Sequence, residues 1–191
     1  MYRIIRKRNQ AGLTLIEILI ALMLTGILAT ACFKFFTQVS HQAGVQLDIS
    51  EMQTLCRASM EDIRKTVRSA GYMVQGPAYE IQGCSLMVFY SATQPVDTTF
   101  YYLSEFTDSE YQRVPGLAAN LQVFKLMKQV NSEDPAVYAD YITDMNFKQI
   151  DASNLLISIT TQVPREDFTY ANNEGFRTYT LTERVNVRNV N

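Results

Sequence analysis

The sequence is poor in the side chains on which most enzyme sites depend. Its 191 residues include one histidine, His41, and three cysteines. No pair of Cys or His residues has metal-ligand spacing, and no glycine-rich phosphate loop occurs. The acidic residues of the C-terminal half are scattered, and no loop there has the ligand order of an EF-hand. The composition therefore argues against an enzyme and predicts neither a metal nor a cofactor.

The chain also lacks internal repeats and low-complexity linkers. At 191 residues it is long enough for one domain with a core and an appendage, since single domains commonly have about 100 to 150 residues. We therefore expect one folded domain.

Residues 1–12 contain no acidic side chain but hold four of the 17 basic ones, Arg3, Arg6, Lys7 and Arg8. Between Leu13 and Phe33 the only charged side chain is Glu17, and about 20 apolar residues are enough for a helix to span a bilayer core. Basic residues before such a segment stay in the cytoplasm. The pattern predicts a basic leader over 1–12, a membrane helix over 13–36, and a chain that continues outside the cytoplasm.

A cleaved secretory signal is the alternative for this segment. Ala29-Thr30-Ala31 fits a small-residue cleavage site, and Cys32 could then accept a lipid. The product would be a secreted or lipidated binding domain. Glu17 argues against this alternative, because a carboxylate at membrane depth costs about 2.5–3.5 kcal/mol and a signal gains nothing from it.

No proline occurs before Pro77, so nothing in residues 37–71 interrupts a helix that continues from the membrane segment. Apolar residues recur there at steps of three and four, which is typical of one face of an amphipathic helix. They are Val45, Ile49, Met52, Cys56, Met60, Ile63, Val67 and Ala70. Gly71 predicts the end of this helix.

Residues 72–191 have a different pattern, with short β-type runs separated by turn residues. It predicts six strands, at Ser85–Ser91, Thr98–Ser104, Leu121–Val130, Ile142–Ile150, Leu155–Gln162 and Thr178–Val187, and a polar loop or hairpin over 164–175. Short connections favour an antiparallel sheet. The expected fold class is α+β, with the apolar face of the helix packed on one face of the sheet.

The segment GLTLIEILIALMLTGIL, Gly12 to Leu28, resembles the N-terminal motif of type IV prepilins and pseudopilins. In that family a basic leader ends in glycine, and an apolar-Thr-Leu-Ile-Glu stretch opens the membrane helix. Gly12 matches the leader glycine, Leu13 the first mature residue and Glu17 the glutamate. Gly26-Ile27-Leu28 matches a later Gly-Ile-Leu of the motif.

This resemblance implies that a prepilin peptidase cleaves between Gly12 and Leu13 and methylates the new Leu13 amine. It also implies that Glu17 meets the positive N-terminus of a neighbouring subunit during assembly, since a paired charge in lipid costs less than a lone one. The implied location is the inner membrane, with 72–191 in the periplasm. The implied partners are other minor and major pilins and the inner-membrane assembly platform of the pilus.

Two further segments resemble PilW-type minor pilins: Arg68-Ser69-Ala70-Gly71-Tyr72 and ERVNVRN, Glu183 to Asn189. The second of them also resembles the final strand of type II secretion minor pseudopilins. The absence of a proline in the membrane segment and of a cysteine beyond Cys84 departs from the major pilins. The resemblance therefore favours a minor pilin that helps to initiate or cap a type IV pilus, and it leaves adhesion, motility and DNA uptake open as the role of the fibre. A minor pseudopilin of a type II secretion system remains the alternative.

Cys56 and Cys84 form a candidate disulfide, because the expected compartment is oxidising. Two packed free thiols are the alternative, since the sequence does not supply the distance between them.

A basic helical surface around Arg57, Arg64 and Arg68 could suggest nucleic acid. However, Glu61 lies four residues before Lys65, which predicts an ordinary ion pair. After removal of the leader, the chain has 13 basic and 19 acidic residues. Nucleic-acid binding is therefore not expected.

Overall fold

The computed structural model describes residues 14–90, 96–106, 123–167, 169–170 and 175–189. Contacts divide the chain into two compact units, Met1–Ala43 and Gly44–Asn191. One helix, α1, runs from Leu15 to Ser69. Seven strands follow it, and their bounds are β1 Tyr79–Gln82, β2 Ser85–Tyr90, β3 Asp97–Glu105, β4 Phe124–Val130, β5 Ala136–Asp151, β6 Asn154–Gln162 and β7 Thr178–Asn186.

The first unit contains the N-terminal part of α1. Between Leu15 and Phe33 large apolar side chains lie on all sides of the helix and are exposed: Leu22, Ile27 and Phe33 are 68%, 67% and 69% exposed. By length and composition, α1 can cross a membrane. The hydroxyl groups of Thr25 and Thr30 donate to the carbonyl oxygens of Ala21 and Gly26, at 2.7 and 2.8 Å. These polar groups are thus satisfied within the helix, as a lipid environment requires.

The seven strands of the second unit form one antiparallel sheet, and their spatial order follows the sequence from β1 to β7. Each strand pairs with the next one along the chain, so the connections are hairpins. In β6 the buried residues alternate as Leu155, Ile157, Ile159 and Thr161. On the opposite face, the hydroxyl oxygens of Ser158 and Thr160 lie 3.1 and 3.0 Å from those of Thr182 and Thr180. The sheet therefore has one apolar and one polar face.

The C-terminal part of α1 packs on the apolar face of this sheet. Its buried residues, Val45, Met52, Cys56, Ser59, Met60, Ile63 and Val67, follow the predicted stripe closely, although Ile49 is only half-buried. Cys56, Met60, Ile63 and Val67 join a core with residues such as Leu86, Tyr101, Leu126, Ile142 and Ile157. This α+β arrangement confirms the expected fold class.

Gly71 ends the helix region as predicted, with a left-handed φ of 74°. A Cβ atom at this position would lie 2.0 Å from the carbonyl oxygen of Asn189. Both the backbone conformation and the close approach of the C-terminal segment therefore require glycine here.

The six predicted strands are present, but two features of the sheet differ from the prediction. β1 is not among the predicted strands, because its four residues YEIQ closely follow Gly76-Pro77 and are too few for a clear alternation. β5 begins at Ala136, six residues before the predicted start. Residues 121–122 of the predicted third strand lie outside the described residues.

The polar segment after β6 is closed at its base by backbone hydrogen bonds from Val163 N to Arg177 O (2.9 Å) and from Asp167 N to Gly175 O (2.7 Å). The buried Asp167 carboxylate accepts from Arg177 Nε at 2.6 Å. These contacts agree with the predicted loop or small hairpin.

Candidate functional site at the start of the long helix

Glu17 lies in the first turn of α1, where it caps the helix together with Thr14. The Thr14 backbone N–H and hydroxyl donate to Glu17 Oε2 at 2.9 and 3.0 Å. In return, the Glu17 N–H donates to the Thr14 hydroxyl oxygen at 3.3 Å. This is a capping box, which satisfies N–H groups that have no partner within the helix. The Thr-x-x-Glu spacing is a sequence signal for it that is independent of the membrane.

The capping contacts use only one of the two carboxylate oxygens. Among the described residues, Glu17 Oε1 receives no hydrogen bond, so a cation can bind there without displacing Thr14. The predicted cleavage point between Gly12 and Leu13 precedes Thr14, so both partners of the cap would remain in the mature chain. Gly12 and Leu13 themselves lie outside the described residues.

A comparison with known protein families finds the "Prokaryotic N-terminal methylation motif" at residues 7–33. The chain carries a prepilin-type N-terminus. The match covers the leader end, Gly12, Leu13, Glu17 and most of the predicted membrane segment. It supports a place in the prepilin and pseudopilin family, with processing by a prepilin peptidase, anchoring in a membrane and assembly with other pilins. No curated protein and no solved structure is significantly similar to the chain.

In the described part of the chain, no three His, Cys, Asp or Glu side chains are grouped so that they could hold a metal ion. Tyr101 and Phe147 are buried core residues.

The basic side chains of the second half of α1 are partly engaged in ion pairs. The predicted pair of Glu61 and Lys65 is present, at 3.7 Å. Arg64 also bonds to Glu61, and its Nη1 lies 3.2 Å from Glu183 Oε1 in β7.

The candidate disulfide between Cys56 and Cys84 is not formed, and both thiols are free. Cys56 is fully buried under β6, where its Sγ lies 3.9 Å from the Ile159 carbonyl oxygen. Cys84 is exposed in the turn between β1 and β2. These strands lie at one edge of the sheet, whereas β6 lies next to the other edge. The topology, which the sequence alone does not reveal, is the reason why the two are apart.

The two thiols should differ strongly in reactivity. Burial raises the pKa of Cys56 to about 11, so at neutral pH it remains a protonated, shielded thiol, whereas the reactive species is the thiolate. In a Cys32→Ser background we expect a maleimide to label Cys84 within minutes and Cys56 only after urea is added. Peptide mass spectrometry measures both sites, and Cys84→Ser is the control. A Cys56–Cys84 disulfide peptide, or equal labelling without urea, would contradict the structure.

Sequence reasoning did not single out the polar cluster that joins α1 to the sheet. Its centre is Asp62, whose carboxylate accepts from the Tyr101 hydroxyl at 2.6 Å and from Lys128 Nζ at 2.8 Å. Lys128 also lies over the rings of Tyr101 and Tyr138, 5.7 and 5.5 Å from their centroids. The only signal for this role is the position of Asp62 at the border of the apolar stripe. The cluster connects α1 to β3 and β4 of the sheet.

Proposed function

We propose that this chain is a minor pilin that takes part in the initiation and assembly of a type IV pilus. In this proposal residues 1–12 are a leader removed by a prepilin peptidase, residues 13–36 span the inner membrane, and residues 37–71 continue the helix. Residues 72–191 form a periplasmic sheet domain that contacts other pilins. In this proposal the protein acts through specific contacts with other proteins and does not catalyse a reaction.

The observation that carries this proposal is the N-terminal methylation motif at residues 7–33, which coincides with the uncovered apolar part of α1. A prepilin peptidase cleaves before such a segment and leaves it in place as an anchor, whereas a signal peptidase would remove it. Thr14 and Glu17 are then retained. The absence of a proline in the membrane segment supports a minor subunit.

Glu17 is proposed to pair with the amino terminus of a neighbouring subunit. Its Oε1 atom is not used by the helix cap, and a lone carboxylate among exposed apolar side chains is unfavourable in lipid. Pairing with a positive N-terminus would reduce that cost.

The mass of the mature N-terminal peptide from native membranes tests the proposed processing. A methylated peptide that begins at Leu13 would support the proposal. A chain that begins at Cys32, lipidated or not, would show that Glu17 is discarded with a signal, and would overturn both the anchoring and the assembly role.

Replacing Gly12 with valine should leave most of the chain in its leader-bearing form. A β-branched side chain at the cleaved bond restricts the backbone conformations available for entry into a peptidase site. We expect the processed fraction in membranes to fall at least about tenfold, measured by intact mass. Ala11→Val is the matched control, one residue from the cleavage point, and should be processed much more efficiently. Equal processing of the two variants would contradict the assigned cleavage point.

A minor pseudopilin of a type II secretion system is the second candidate, because the same N-terminal motif and fold suit both assemblies. Deletion of the gene separates them. Loss of surface pili with normal protein secretion supports the pilus, and the opposite result supports the secretion system.

A further inference from the structure

A basic cleft lies at the C-terminal end of α1. It has a volume of about 590 Å³ and is lined by Lys65, Arg68, Ser69, Tyr72, Arg188 and Asn189. The Asn189 side-chain amide donates to the Ala70 carbonyl oxygen at 3.3 Å, which brings the neighbouring Arg188 to the helix end. Three cationic side chains thus share one cleft in a chain whose mature form is acidic.

Two of these cations are available for a partner. Within the described part of the chain, neither Arg68 nor Arg188 has an ion-pair partner. Lys65 lies 3.7 Å from Glu61, which Arg64 also contacts. Since neither Arg68 nor Arg188 is neutralised by a carboxylate among the described residues, the cleft keeps a positive charge and fits a carboxylate-bearing surface.

A second, acidic cleft has a volume of about 290 Å³. It lies near the N-terminal end of the sheet-packed part of α1. Asp48, Glu51 and Asp140 contribute its carboxylates, with Tyr141, Gln162 and Pro164 among the other lining residues. Arg165 Nε lies 3.3 Å from Asp48 and neutralises it in part. Glu51 is exposed and has no ion-pair partner among the described residues. The second unit therefore presents opposite charges in two separate clefts.

The two clefts cannot meet within one molecule. Glu51 and Lys65 are 14 residues apart on one continuous helix, which corresponds to about 21 Å at 1.5 Å per residue. We infer that the basic cleft of one copy, formed by Lys65, Arg68 and Arg188, binds the acidic cleft of a second copy at Glu51 and its neighbours. Such a heterologous contact uses different surfaces on its two sides and can repeat along an open helical assembly.

A second copy explains both clefts, whereas a phosphate-bearing ligand would explain only the basic one. This contact deepens the proposed function: it would join the sheet domains of subunits whose membrane helices are already bundled. The role of the contact in a fibre therefore rests on the proposed function. The contact should weaken as ionic strength rises, since both clefts are open to solvent.

A zero-length carbodiimide, which couples lysine amines to carboxylates, tests the contact with the full chain in detergent micelles. A mixture of ¹⁴N- and ¹⁵N-labelled chains should give a peptide in which Lys65 of one label is joined to Glu51 of the other. The Lys65–Glu61 adduct forms within one chain, because those groups are 3.7 Å apart, and serves as the internal standard.

Two charge reversals then test the direction of the contact. Arg68→Glu should lower the cross-label adduct, relative to the standard, by about tenfold or more, because like charges across an interface are strongly unfavourable. The Glu51→Arg variant lacks the carboxylate to which Lys65 of another copy is coupled, so copies of this variant cannot form the adduct with one another. A mixture of the two variants should restore the adduct in one direction only, from Lys65 of the Glu51→Arg chain to Glu51 of the Arg68→Glu chain. Arg57→Glu, an exposed reversal outside both clefts, is the matched control and should leave the adduct unchanged.

Absence of the cross-label adduct while the standard forms would overturn the inference, and so would equal losses for Arg68→Glu and Arg57→Glu. A third outcome would also overturn the inference: the chain does not self-associate but binds an oligonucleotide or anionic vesicles, and Arg68→Glu abolishes this binding. The basic cleft would then be a phosphate-binding site. The assay does not depend on processing. A mature N-terminus at Cys32 would therefore refute the proposed function and leave the measured contact intact, whereas a missing adduct would leave the processing result unaffected.

Discussion

Replacing Asp62 with alanine should lower the free energy of unfolding of the sheet domain by about 2–4 kcal/mol. Asp62 accepts hydrogen bonds from both Tyr101 and Lys128, and its side chain and that of Lys128 are each 23% exposed. Hydrogen bonds to charged groups contribute about 1.5–3 kcal/mol each, and their loss leaves the Tyr101 hydroxyl and the Lys128 amine without this acceptor. Urea unfolding of the full chain in detergent measures the change.

Glu61→Ala is the matched control for this prediction, because it removes a carboxylate from the adjacent position of the same helix. Glu61 pairs with Arg64 and Lys65 on the solvent side, and its side chain is 42% exposed. Solvent screens such pairs, so the expected loss is at most about 1 kcal/mol. Equal losses for the two variants would contradict the assignment of Asp62 as the connection between helix and sheet.

A double-mutant cycle separates the ion pair from the rest of the cluster. Lys128→Met keeps most of the apolar stem of the side chain and removes the charge. If Asp62 and Lys128 stabilise each other, the double variant Asp62→Asn, Lys128→Met should be less destabilised than the sum of the single variants. Additive losses would place most of the stabilisation in the Tyr101 hydroxyl contact.

Local periodicity explains why so much of the fold follows from the sequence. Steps of three and four residues on the helix, and alternation in a strand such as Leu155–Gln162, each mark a buried face without reference to the rest of the chain. The capping box of Thr14 and Glu17 is local in the same sense. β1 has only four residues, too few for such a pattern, so its place in the sheet follows from pairing with β2.

Contacts between distant parts of the chain could not be predicted in this way. Glu61 and Asp62 are adjacent acids, and which of them faces the sheet depends on Lys128, 66 residues further along the chain. Likewise, only the strand order separates Cys56 from Cys84. The basic cleft requires Arg188 to return to the end of α1, which depends on the close packing of Gly71 and Asn189.

Neutralising Glu17 should prevent entry into the fibre without preventing cleavage of the leader. Glu17→Gln is the informative change, because glutamine can also serve in a capping box while it lacks the charge that would attract a neighbouring N-terminus. We expect the amount of the chain in sheared fibres to fall at least tenfold, which corresponds to a loss of interaction free energy of about 1.4 kcal/mol or more. The membrane fraction should contain normally processed protein.

Thr14→Val tests the other role of the same carboxylate. It removes the hydroxyl that contacts Glu17 and receives the Glu17 N–H, but it leaves the charge in place. Loss of a cap costs about 0.5–2 kcal/mol of helix stability, and the remaining apolar segment still favours a helix in lipid. Incorporation should therefore fall much less than in Glu17→Gln. If instead Thr14→Val abolishes incorporation and Glu17→Gln does not, the function of Glu17 is to begin the helix, and the proposed charge pairing between subunits is wrong.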